Sequence, residues 1–352
     1  MQSPTIFVQS ERLREFIAAI FGAVGFSDAH AQTEADVLVW ANLRGVDSHG
    51  IFRIPSYIRA IRLGEINPKP DIRVASSSGA SCIVDADRAP GPIAMTFAID
   101  QAVAVAAEHT VGWALVRDTT HTGPMGYYAR RAAERGMIGI VSSASKPLMA
   151  YHGTSVPTVS TNPIAIAVPQ AGGLPLTLDM ATAAIAWGKL TQARQLGGDL
   201  PDNVALDSSG RVTTDASQAA VPLPLGGAKG AGLSLLIECM TSLLAGSPLV
   251  ASALSDEGTS HGVWQHGLAI AVDIAAFTDV EGFAANAAEL ANAVRRQPRA
   301  DGVEEVLMPG ERGDRVLAER RENGIPIIRD QWNALVETAA SVSVEPLDGL
   351  TD

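Results

Sequence analysis

The sequence predicts an α/β protein with helical ends. Between residues 80 and 144, apolar runs typical of strands alternate with runs typical of helices, as in layered α/β folds. Before residue 75 and after about residue 284, the apolar residues recur at helical spacing instead. The chain has 352 residues, so two or three subdomains are expected, and its 47% of hydrophobic residues can fill a large core.

The N-terminal segment predicts three helices, of which the third covers 49–63. Serines in front of the first two are suitable N-caps, and a glycine ends each of the three. These residues are Ser10, Ser27, Gly25, Gly45 and Gly64. Pro55 removes one hydrogen bond of the third helix, so this helix is either kinked or begins later. The NPKP sequence at 67–70 then breaks the helical pattern and marks a candidate boundary.

The central segment predicts strands and helices in alternation. The predicted strands are CIVDAD, WALVRD, IGIVSSA, IAIAVP, LTLDMAT and GLAIAVDIAAF. The predicted helices are PIAMTFAIDQAVAVAAEH, GYYARRAAERG and KGAGLSLLIECMTSLLAG, and the last of these is apolar enough to be buried. No GxGxxG follows a predicted strand, and Lys229 does not fit a Walker spacing, so both standard nucleotide-binding loops are absent.

Charge and composition argue against several partners and compartments. The net charge of −12 repels phosphate backbones, which argues against nucleic acid. Cys82 and Cys239 match no metal or redox spacing and are typical of a reducing compartment. The first residues lack the pattern of a secretory signal, and no apolar run is long enough to cross a membrane. We therefore expect a cytoplasmic protein.

The stretch RGVDSHGIFRIPSY at 44–57 is the first of three polar clusters. A continuous helix would place His49, Arg53 and Tyr57 on one face. Arginine can hold a carboxylate through two parallel hydrogen bonds, and histidine can transfer a proton near neutral pH. The alternative is a solvated polar face that contains a satisfied histidine.

The other two clusters contain His121 and Asp179. His121 lies in the turn TTHTGPMG between a predicted strand and a predicted helix, where α/β proteins place functional side chains. Asp179 lies in an otherwise apolar strand and is costly to bury unless it is bonded. Helix capping is the alternative for both side chains. A divalent metal held by His49, His121 and Asp179 is a further alternative, although no short His spacing supports it.

Six segments, in order, resemble the malate/L-lactate dehydrogenase family that is unrelated to the Rossmann lactate dehydrogenases. They are DSHGIFRIPSYI, HTGPMGYYA, STNPIAIAVP, LDMATAAIAWGK, LPLGGAKGAGLSLLIE and MPGERG, and they extend over nearly the whole chain. Members of this family include ureidoglycolate, sulfolactate and malate dehydrogenases, diketogulonate reductase and piperideine/pyrroline-2-carboxylate reductase. SHGIFRIP is most similar to the cyclic-imine reductases, whereas HTG and AWGK are more similar to ureidoglycolate dehydrogenase.

The resemblance implies a fold that the strand–helix alternation does not predict. This fold is a mixed, largely antiparallel sheet with helices that binds a nicotinamide cofactor without a Rossmann domain. Residues 1–75 would pack with 314–352 as a helical domain, and 76–313 would form the cofactor-binding and catalytic α/β domain. The resemblance also implies a homodimer that uses NAD or NADP and acts on a small 2-oxo, 2-hydroxy or cyclic 2-imino carboxylate.

The resemblance further implies roles for individual residues. The acid–base group corresponds to His49 or His121, and Asp179 lies beside the reacting centre. The substrate-binding residues correspond to Ser48, Arg53 and Tyr57. The cofactor-binding residues correspond to Ser145, Thr161, Asn162, Pro163, Asp179, Met180, Ala181, Lys229, Gly230, Pro309, Gly310 and Glu311. Many members have Asn-Ser-Asn-His-Phe-Gly where this chain has DTTHTG, which weakens a substrate assignment borrowed from malate-type members.

Overall fold

The computed structural model describes residues 5–255 and 264–347. The strands in these ranges are β1 (Thr5–Val8), β2 (Arg73–Ser78), β3 (Ser81–Asp85), β4 (Val111–Thr119), β5 (Met137–Ala144), β6 (Met149–Ala150), β7 (Pro157–Val159), β8 (Ile164–Val168), β9 (Leu176–Met180), β10 (Ala205–Asp207), β11 (Ala219–Pro222), β12 (Gln265–Asp273) and β13 (Ile325–Ile328). The helices are α1 (Ser10–Ala23), α2 (Asp28–Leu43), α3 (Ile54–Arg62), α4 (Gly91–His109), α5 (Met125–Ala133), α6 (Trp187–Leu196), α7 (Ala228–Glu238), α8 (Val250–Leu254), α9 (Val280–Arg295), α10 (Glu311–Asn323) and α11 (Arg329–Ala340). None of these helices is long and apolar enough to span a bilayer.

A seven-stranded sheet lies at the centre of the fold, in the order β2-β3-β4-β12-β5-β8-β9. Strands β3 and β4 pair in parallel, whereas the other five neighbouring pairs of this sheet are antiparallel. This pairing confirms the mixed, largely antiparallel sheet that the resemblance implies. Strand β12 enters the middle of the sheet from far along the chain, so the alternation of neighbouring elements does not reveal the order.

Two long helices pack closely on the sheet because glycines face them. A Cβ atom at Gly112 of β4 would lie 1.9 Å from the carbonyl oxygen of Ala102 in α4. A Cβ atom at Gly139 of β5 would lie 2.2 Å from the carbonyl oxygen of Ala129 in α5. Any side chain at these two positions would push its helix away from the sheet. The close packing fixes the β4–α5 connection, which carries His121.

The two ends of the chain share one apolar core. Strands β1 and β13 pair in antiparallel register, with Thr5 opposite Ile328. The rings of Phe16 in α1 and Trp332 in α11 lie 5.9 Å apart between centroids. Ile54 of α3 is buried in the same cluster. This helical unit holds the first polar cluster against the central sheet.

The predicted continuous helix over 49–63 is replaced by a shorter one. Two 3₁₀ turns, Asp47–His49 and Ile51–Arg53, precede α3, which begins at Ile54. Pro55 occupies the first turn of α3, where its missing N–H costs no hydrogen bond. The alternative that the helix begins later is therefore confirmed. The interpretation of His49 and Arg53 as residues one α-helical turn apart is wrong.

The predicted helix over 229–246 differs from expectation in burial. Helix α7 continues as a π-helical segment, Cys239–Leu243, so the chain is helical there. However, Leu236 is 59% exposed and Leu244 is 56% exposed, whereas Ser234 and Thr241 are fully buried. The polar residues of this helix face the protein and the leucines face outwards, so the prediction of a buried apolar helix is wrong.

Candidate active site

The first and second polar clusters meet where the helical unit contacts the central sheet. The imidazole rings of His49 and His121 lie 5.4 Å apart between centroids and are inclined by 31°. The hydroxyl of Tyr57 and Nδ1 of His121 share a hydrogen bond of 2.6 Å. His49 ends a 3₁₀ turn, Tyr57 lies in α3, and His121 follows β4. Residues 64 positions apart in sequence therefore form one polar group.

Ser48 and Arg53 complete the near side of this group. The hydroxyl of Ser48 and Nδ1 of His49 lie 3.0 Å apart, within hydrogen-bonding distance. Nε of Arg53 donates to the carbonyl oxygen of Ser48 at 2.8 Å, which fixes the guanidinium beside the two imidazoles. The two terminal nitrogens of Arg53 point in a fork that suits a carboxylate. A Cβ atom at Gly188 of α6 would lie 2.2 Å from Cβ of Ser48, so α6 closes over this side.

Both imidazoles are neutral at pH 7 in the free protein. Burial, and after it the positive charge of Arg53, lower the pKa of His49 to about 4. Burial, then Arg53 and then His49 hold the pKa of His121 well below its usual range. A carboxylate that neutralises Arg53 would remove one of these causes and raise the pKa of both groups.

Asp179 lies at the end of β9 and faces a cleft. Its Oδ2 accepts a hydrogen bond of 2.8 Å from the backbone N–H of Gly126, in the first turn of α5. A Cβ atom at Gly126 would approach Oδ2 to 2.9 Å, so glycine permits this contact. The surrounding protein raises the pKa of Asp179 to about 6, while the Gly126 bond and the charge of Arg44 act against the rise. Asp179 thus binds a helix N-terminus, but that of α5 and not that of the next helix in sequence.

The cleft has a volume of 380 Å³ and separates the helical unit from the edge of the sheet. Its lining contains seven residues that the sequence singled out. They are His49, Pro163, Asp179, Met180, Ala181, Pro309 and Gly310. One histidine and one carboxylate therefore face a cavity with largely apolar walls, as in many small-molecule sites.

A family model described as malate/L-lactate dehydrogenase matches residues 8–336 of the chain. The chain belongs to the malate/L-lactate dehydrogenase family. It is therefore an enzyme, a dehydrogenase of a family named for two hydroxy carboxylates.

Individual proteins of this family are similar to the chain over almost their whole length. L-sulfolactate dehydrogenase of Methanocaldococcus jannaschii is 35% identical over 334 residues, which cover 94% of this chain and 96% of that protein. Ureidoglycolate dehydrogenase (NAD(+)) of Escherichia coli O157:H7 is 31% identical, with 94% and 95% covered. The structure of Δ1-piperideine-2-carboxylate reductase from Pseudomonas syringae pvar. tomato has a TM-score of 0.82 at 28% identity, with 95% and 99% covered.

Six of the predicted cofactor-binding residues of this dehydrogenase lie outside the lining of the cleft. Backbone hydrogen bonds connect Thr161 and Gly230 to residues beside the cleft, and Lys229 precedes Gly230 in the first turn of α7. The N–H of Thr182, next to Ala181, donates to the carbonyl of Thr161 at 3.1 Å. The carbonyl of Thr182 accepts from Leu225 at 2.8 Å, and the carbonyl of Leu225 accepts from Gly230 at 2.9 Å. The start of α7 is thereby tied to the strand that carries Asp179.

The other three residues have structural partners in the dehydrogenase. Asn162 is buried, and its side chain accepts from the N–H of Ser145 at 3.3 Å and donates to the carbonyl of Ser234 at 2.9 Å. The carboxylate of Glu311 accepts from the N–H of Met308 at 2.9 Å and pairs with Arg295 and Arg315. These side chains hold the loops around the cleft in place, and their polar atoms bond other protein groups.

Arg44 is a residue of the cleft to which the sequence analysis assigned no role. It is buried, lines the cleft and lies over the ring of Trp40 at 4.9 Å. Its guanidinium pairs with Asp314 and donates to the carbonyl of Gly310 at 2.9 Å. Arg44 also influences the pKa of Asp179. The sequence contained one signal that could have pointed to Arg44, its position directly before Gly45, which ends α2.

The metal alternative gains no support from the dehydrogenase structure. Over residues 5–255 and 264–347, no three His, Cys, Asp or Glu side chains lie close enough together to share a metal ion. His49, His121 and Asp179 face partly different spaces, because His49 and Asp179 line the cleft and His121 does not.

Proposed function

We propose that this dehydrogenase transfers a hydride between a nicotinamide cofactor, NAD or NADP, and a small 2-oxo, 2-hydroxy or cyclic 2-imino carboxylate. The observation that carries this proposal is the placement of Arg53 beside two neutral imidazoles, one of which, that of His49, lines the apolar cleft. A suitable substrate has a carboxylate, which pairs with the charge of Arg53, next to a carbon that gains or loses hydride beside the imidazoles. Family membership supports the same reaction class.

Arg53 and Ser48 bind the substrate in this proposal. The Arg53 guanidinium holds the carboxylate through two parallel hydrogen bonds, and its Nε–H to Ser48 keeps the fork in place. The Ser48 hydroxyl lies next to Nδ1 of His49 and orients that ring. These contacts place the substrate heteroatom near the two imidazoles.

His49 transfers the proton in this proposal, because it faces the cleft together with Asp179. Its neutral state at pH 7 suits removal of a proton from a hydroxy acid. In the reverse direction the bound carboxylate offsets Arg53 and lets His49 carry the proton that it donates. Asp179 stabilises positive charge on the imidazole or on an iminium substrate, and His121 donates or accepts a hydrogen bond at the substrate.

The residues of the cleft fit the reactive end of a nicotinamide cofactor. Met180 and Pro309 offer apolar walls, and a Cβ atom at Gly310 would lie 3.0 Å from the carbonyl of Thr177, so glycine keeps the wall flat. Lys229 lies in the first turn of α7, where the positive end of the helix dipole and the lysine suit a pyrophosphate. The bound cofactor supplies or removes the hydride.

The proposed function is tested by following the absorbance of reduced cofactor. NADH and NADPH are each offered with pyruvate, oxaloacetate, sulfopyruvate, oxalurate and a cyclic 2-imino acid. We expect turnover of at least one substrate, and the preferred one distinguishes the imine reductases from the ureidoglycolate and malate/sulfolactate types. Absence of turnover throughout the panel, together with no shift of the thermal midpoint by either cofactor, would overturn the proposal.

We further propose a homodimer, supported by the outward-facing leucines of α7 and its π-helical extension. Apolar residues spaced 0, 1, 4, 5, 8 and 9 share one face, namely Leu235, Leu236, Cys239, Met240, Leu243 and Leu244. A helix with this much exposed apolar surface is typical of a protein interface. The family resemblance implies a second copy of the chain as the partner.

A further inference from the structure

Glu34 is a fully buried carboxyl group that the proposed mechanism does not use. It lies on α2, and neither of its oxygens has a hydrogen-bond partner within the described residues. It faces a narrow cavity, too small for a water molecule, whose walls also include Tyr57 and His121. Most of the other walls are apolar, among them Phe21 and Ile66.

Stability alone does not account for a glutamate at this position. Its neighbours on the same face of α2, Ala31, Ala35 and Leu38, are buried apolar residues. An unpaired polar group in such a place costs about 1–3 kcal/mol. Burial raises the pKa of Glu34 to about 8, so the group is a neutral carboxylic acid at pH 7. A neutral acid is able to donate a hydrogen bond as well as accept one.

Tyr57 lies between Glu34 and the active site. Its hydroxyl bonds Nδ1 of His121 at 2.6 Å, and its ring borders the same cavity as Glu34. Burial, and after it the charge of Glu34, raise the pKa of Tyr57, so the phenol keeps its proton. A hydroxyl that keeps its proton donates one hydrogen bond, and the direction of that bond depends on its neighbours.

We propose that Glu34 is a positioning residue that sets the tautomer of His121 through the hydroxyl of Tyr57. Glu34 and Tyr57 border the same narrow cavity, so a small rotation of the Glu34 side chain brings its carboxyl group to the hydroxyl. The assignment rests on the function proposed above only in that His121 faces the substrate. When Glu34 ionises, its proton passes to the Tyr57 oxygen, the Tyr57 proton passes to Nδ1 of His121, and Nε2 releases its proton to the solvent or substrate side.

Protonated Glu34 gives the chain of hydrogen bonds one direction. Its O–H donates to the Tyr57 oxygen, and the Tyr57 O–H donates to Nδ1 of His121. The imidazole proton then resides on Nε2, which becomes a donor towards the substrate. Such a donor binds the oxygen of a 2-oxo acid or the nitrogen of a neutral imine.

Ionised Glu34 reverses that direction. The Tyr57 O–H donates to the carboxylate, and Nδ1–H of His121 donates to the Tyr57 oxygen. Nε2 then presents a lone pair, which accepts a hydrogen bond from the hydroxyl of a 2-hydroxy acid, while His49 remains the base. One carboxyl group therefore adapts the site to the oxidised or to the reduced substrate.

Other charged and titratable groups lie beside this chain of hydrogen bonds and shift the pKa values of its members. Burial, then Arg53 and His49, lower the pKa of His121, which keeps the imidazole neutral in both states. Tyr128 of α5 is buried, and its hydroxyl donates to the carbonyl of Thr122 at 2.6 Å. Glu34 raises the pKa of Tyr128 as well, so both tyrosines remain protonated near neutral pH.

Nitrogen-15 NMR of the protein labelled at histidine tests the tautomer directly and needs no substrate. The signals of His121, one of 7 histidines, are assigned with His121→Asn. We expect the proton of His121 to move from Nε2 to Nδ1 as pH rises through the Glu34 pKa of about 8. In Glu34→Gln the amide N–H donates to Tyr57 at every pH, so Nε2–H should persist. In Tyr57→Phe the tautomer should not depend on Glu34.

Glu238→Gln is a matched control, because Glu238 is also buried but bonds Ser242 and the N–H groups of Leu249 and Val250. It should follow the wild-type protein. A wild-type tautomer that does not change between about pH 6 and pH 10, or that changes equally in Glu34→Gln, overturns the inference.

Kinetics with the most active panel substrate and its reduced product give a second readout. The KM for the oxo or imino acid should rise about tenfold in wild type as Glu34 ionises, the usual effect of one lost hydrogen bond, and should stay constant in Glu34→Gln. The KM for the hydroxy acid should change in the opposite sense. An inactive panel contradicts the proposed function and leaves the NMR result to decide on Glu34. Identical pH profiles of an active wild type and Glu34→Gln contradict the role of Glu34 alone.

Discussion

At the scale of single residues, the proposed function assigns the binding of the substrate carboxylate to the fork of Arg53. Arg53→Lys should lose about 2–4 kcal/mol of transition-state stabilisation, because an ammonium cannot form two parallel hydrogen bonds. The measurement is kcat/KM for the best panel substrate, with cofactor affinity expected to be nearly unchanged.

Arg59→Lys is the matched control, since Arg59 lies on the same helix, α3, but is exposed. It should keep the wild-type value. An Arg53→Lys enzyme with wild-type efficiency would remove Arg53 from the substrate site.

His49 and His121 differ in the role that we expect for each. His49→Asn should lower kcat by about 10²–10⁴, the usual contribution of a general acid or base, whereas His121→Asn should mainly raise KM. For oxidation of a hydroxy acid, kcat/KM should fall as pH decreases through the His49 pKa of about 4, because the protonated imidazole cannot act as a base. The break in kcat should lie at higher pH, since the bound carboxylate offsets Arg53.

Both pH profiles are measured for the wild type and for the two variants. The break should disappear in His49→Asn. The assignment is wrong in the reverse case, in which His49→Asn keeps turnover and the break while His121→Asn loses both.

Sequence patterns revealed some residues of the candidate site and concealed others. His49, His121 and Asp179 were visible because each is a polar residue in a turn or in an apolar strand. Glu34 was concealed by a helix in which one acidic residue looks ordinary, and only the fold shows that it lies on the buried face. Arg44 was concealed for a similar reason, because its partner Asp314 is 270 positions away.

At the scale of elements, a buried ion triad joins helices α2, α5 and α10. Arg44, directly after α2, and Arg130 of α5 both pair with the carboxylate of Asp314 in α10, and both arginines are buried. Asp314→Asn leaves two buried guanidinium groups without a counter-charge, so the free energy of unfolding should fall by about 3 kcal/mol. Urea unfolding at constant pH measures the change.

Glu289→Gln is the control for this experiment, because Glu289 pairs with Arg296 at the surface. An exposed pair contributes only about 0–1 kcal/mol. Equal destabilisation by the two substitutions would show that the triad does not hold the three helices together.

Local signals predicted most elements, and long-range contacts explain the failures. Ser27 caps α2 as expected, with its hydroxyl accepting from the N–H of His30 at 3.3 Å. Pro55 set the start of α3 correctly, since its effect depends only on its neighbours. The burial of α7 was mispredicted because an apolar sequence does not show whether its leucines face the core or the outside.

At the scale of the whole molecule, the alternation of strands and helices predicted the α/β class but not the sheet. Strand order depends on which distant segments pair. Strand β12 lies between β4 and β5, although more than 120 residues separate β12 from both of them in sequence. The antiparallel arrangement was predicted from several family motifs taken in order, because periodicity alone does not predict the direction in which strands pair.

The outward-facing leucines predict the assembly of the molecule. Two copies that bury this face would remove Leu236 and Leu244 from water, and full burial of a leucine contributes about 1.5–3 kcal/mol. We expect a particle of twice the chain mass of 36.6 kDa in light scattering coupled to size exclusion. The double substitution Leu236→Glu and Leu244→Glu should give monomers, because apposed carboxylates are costly to bury. Leu63→Glu, at a 62% exposed leucine beyond α3, should remain a dimer. A monomeric wild-type protein, or a double variant that still dimerises, would exclude this face as the interface.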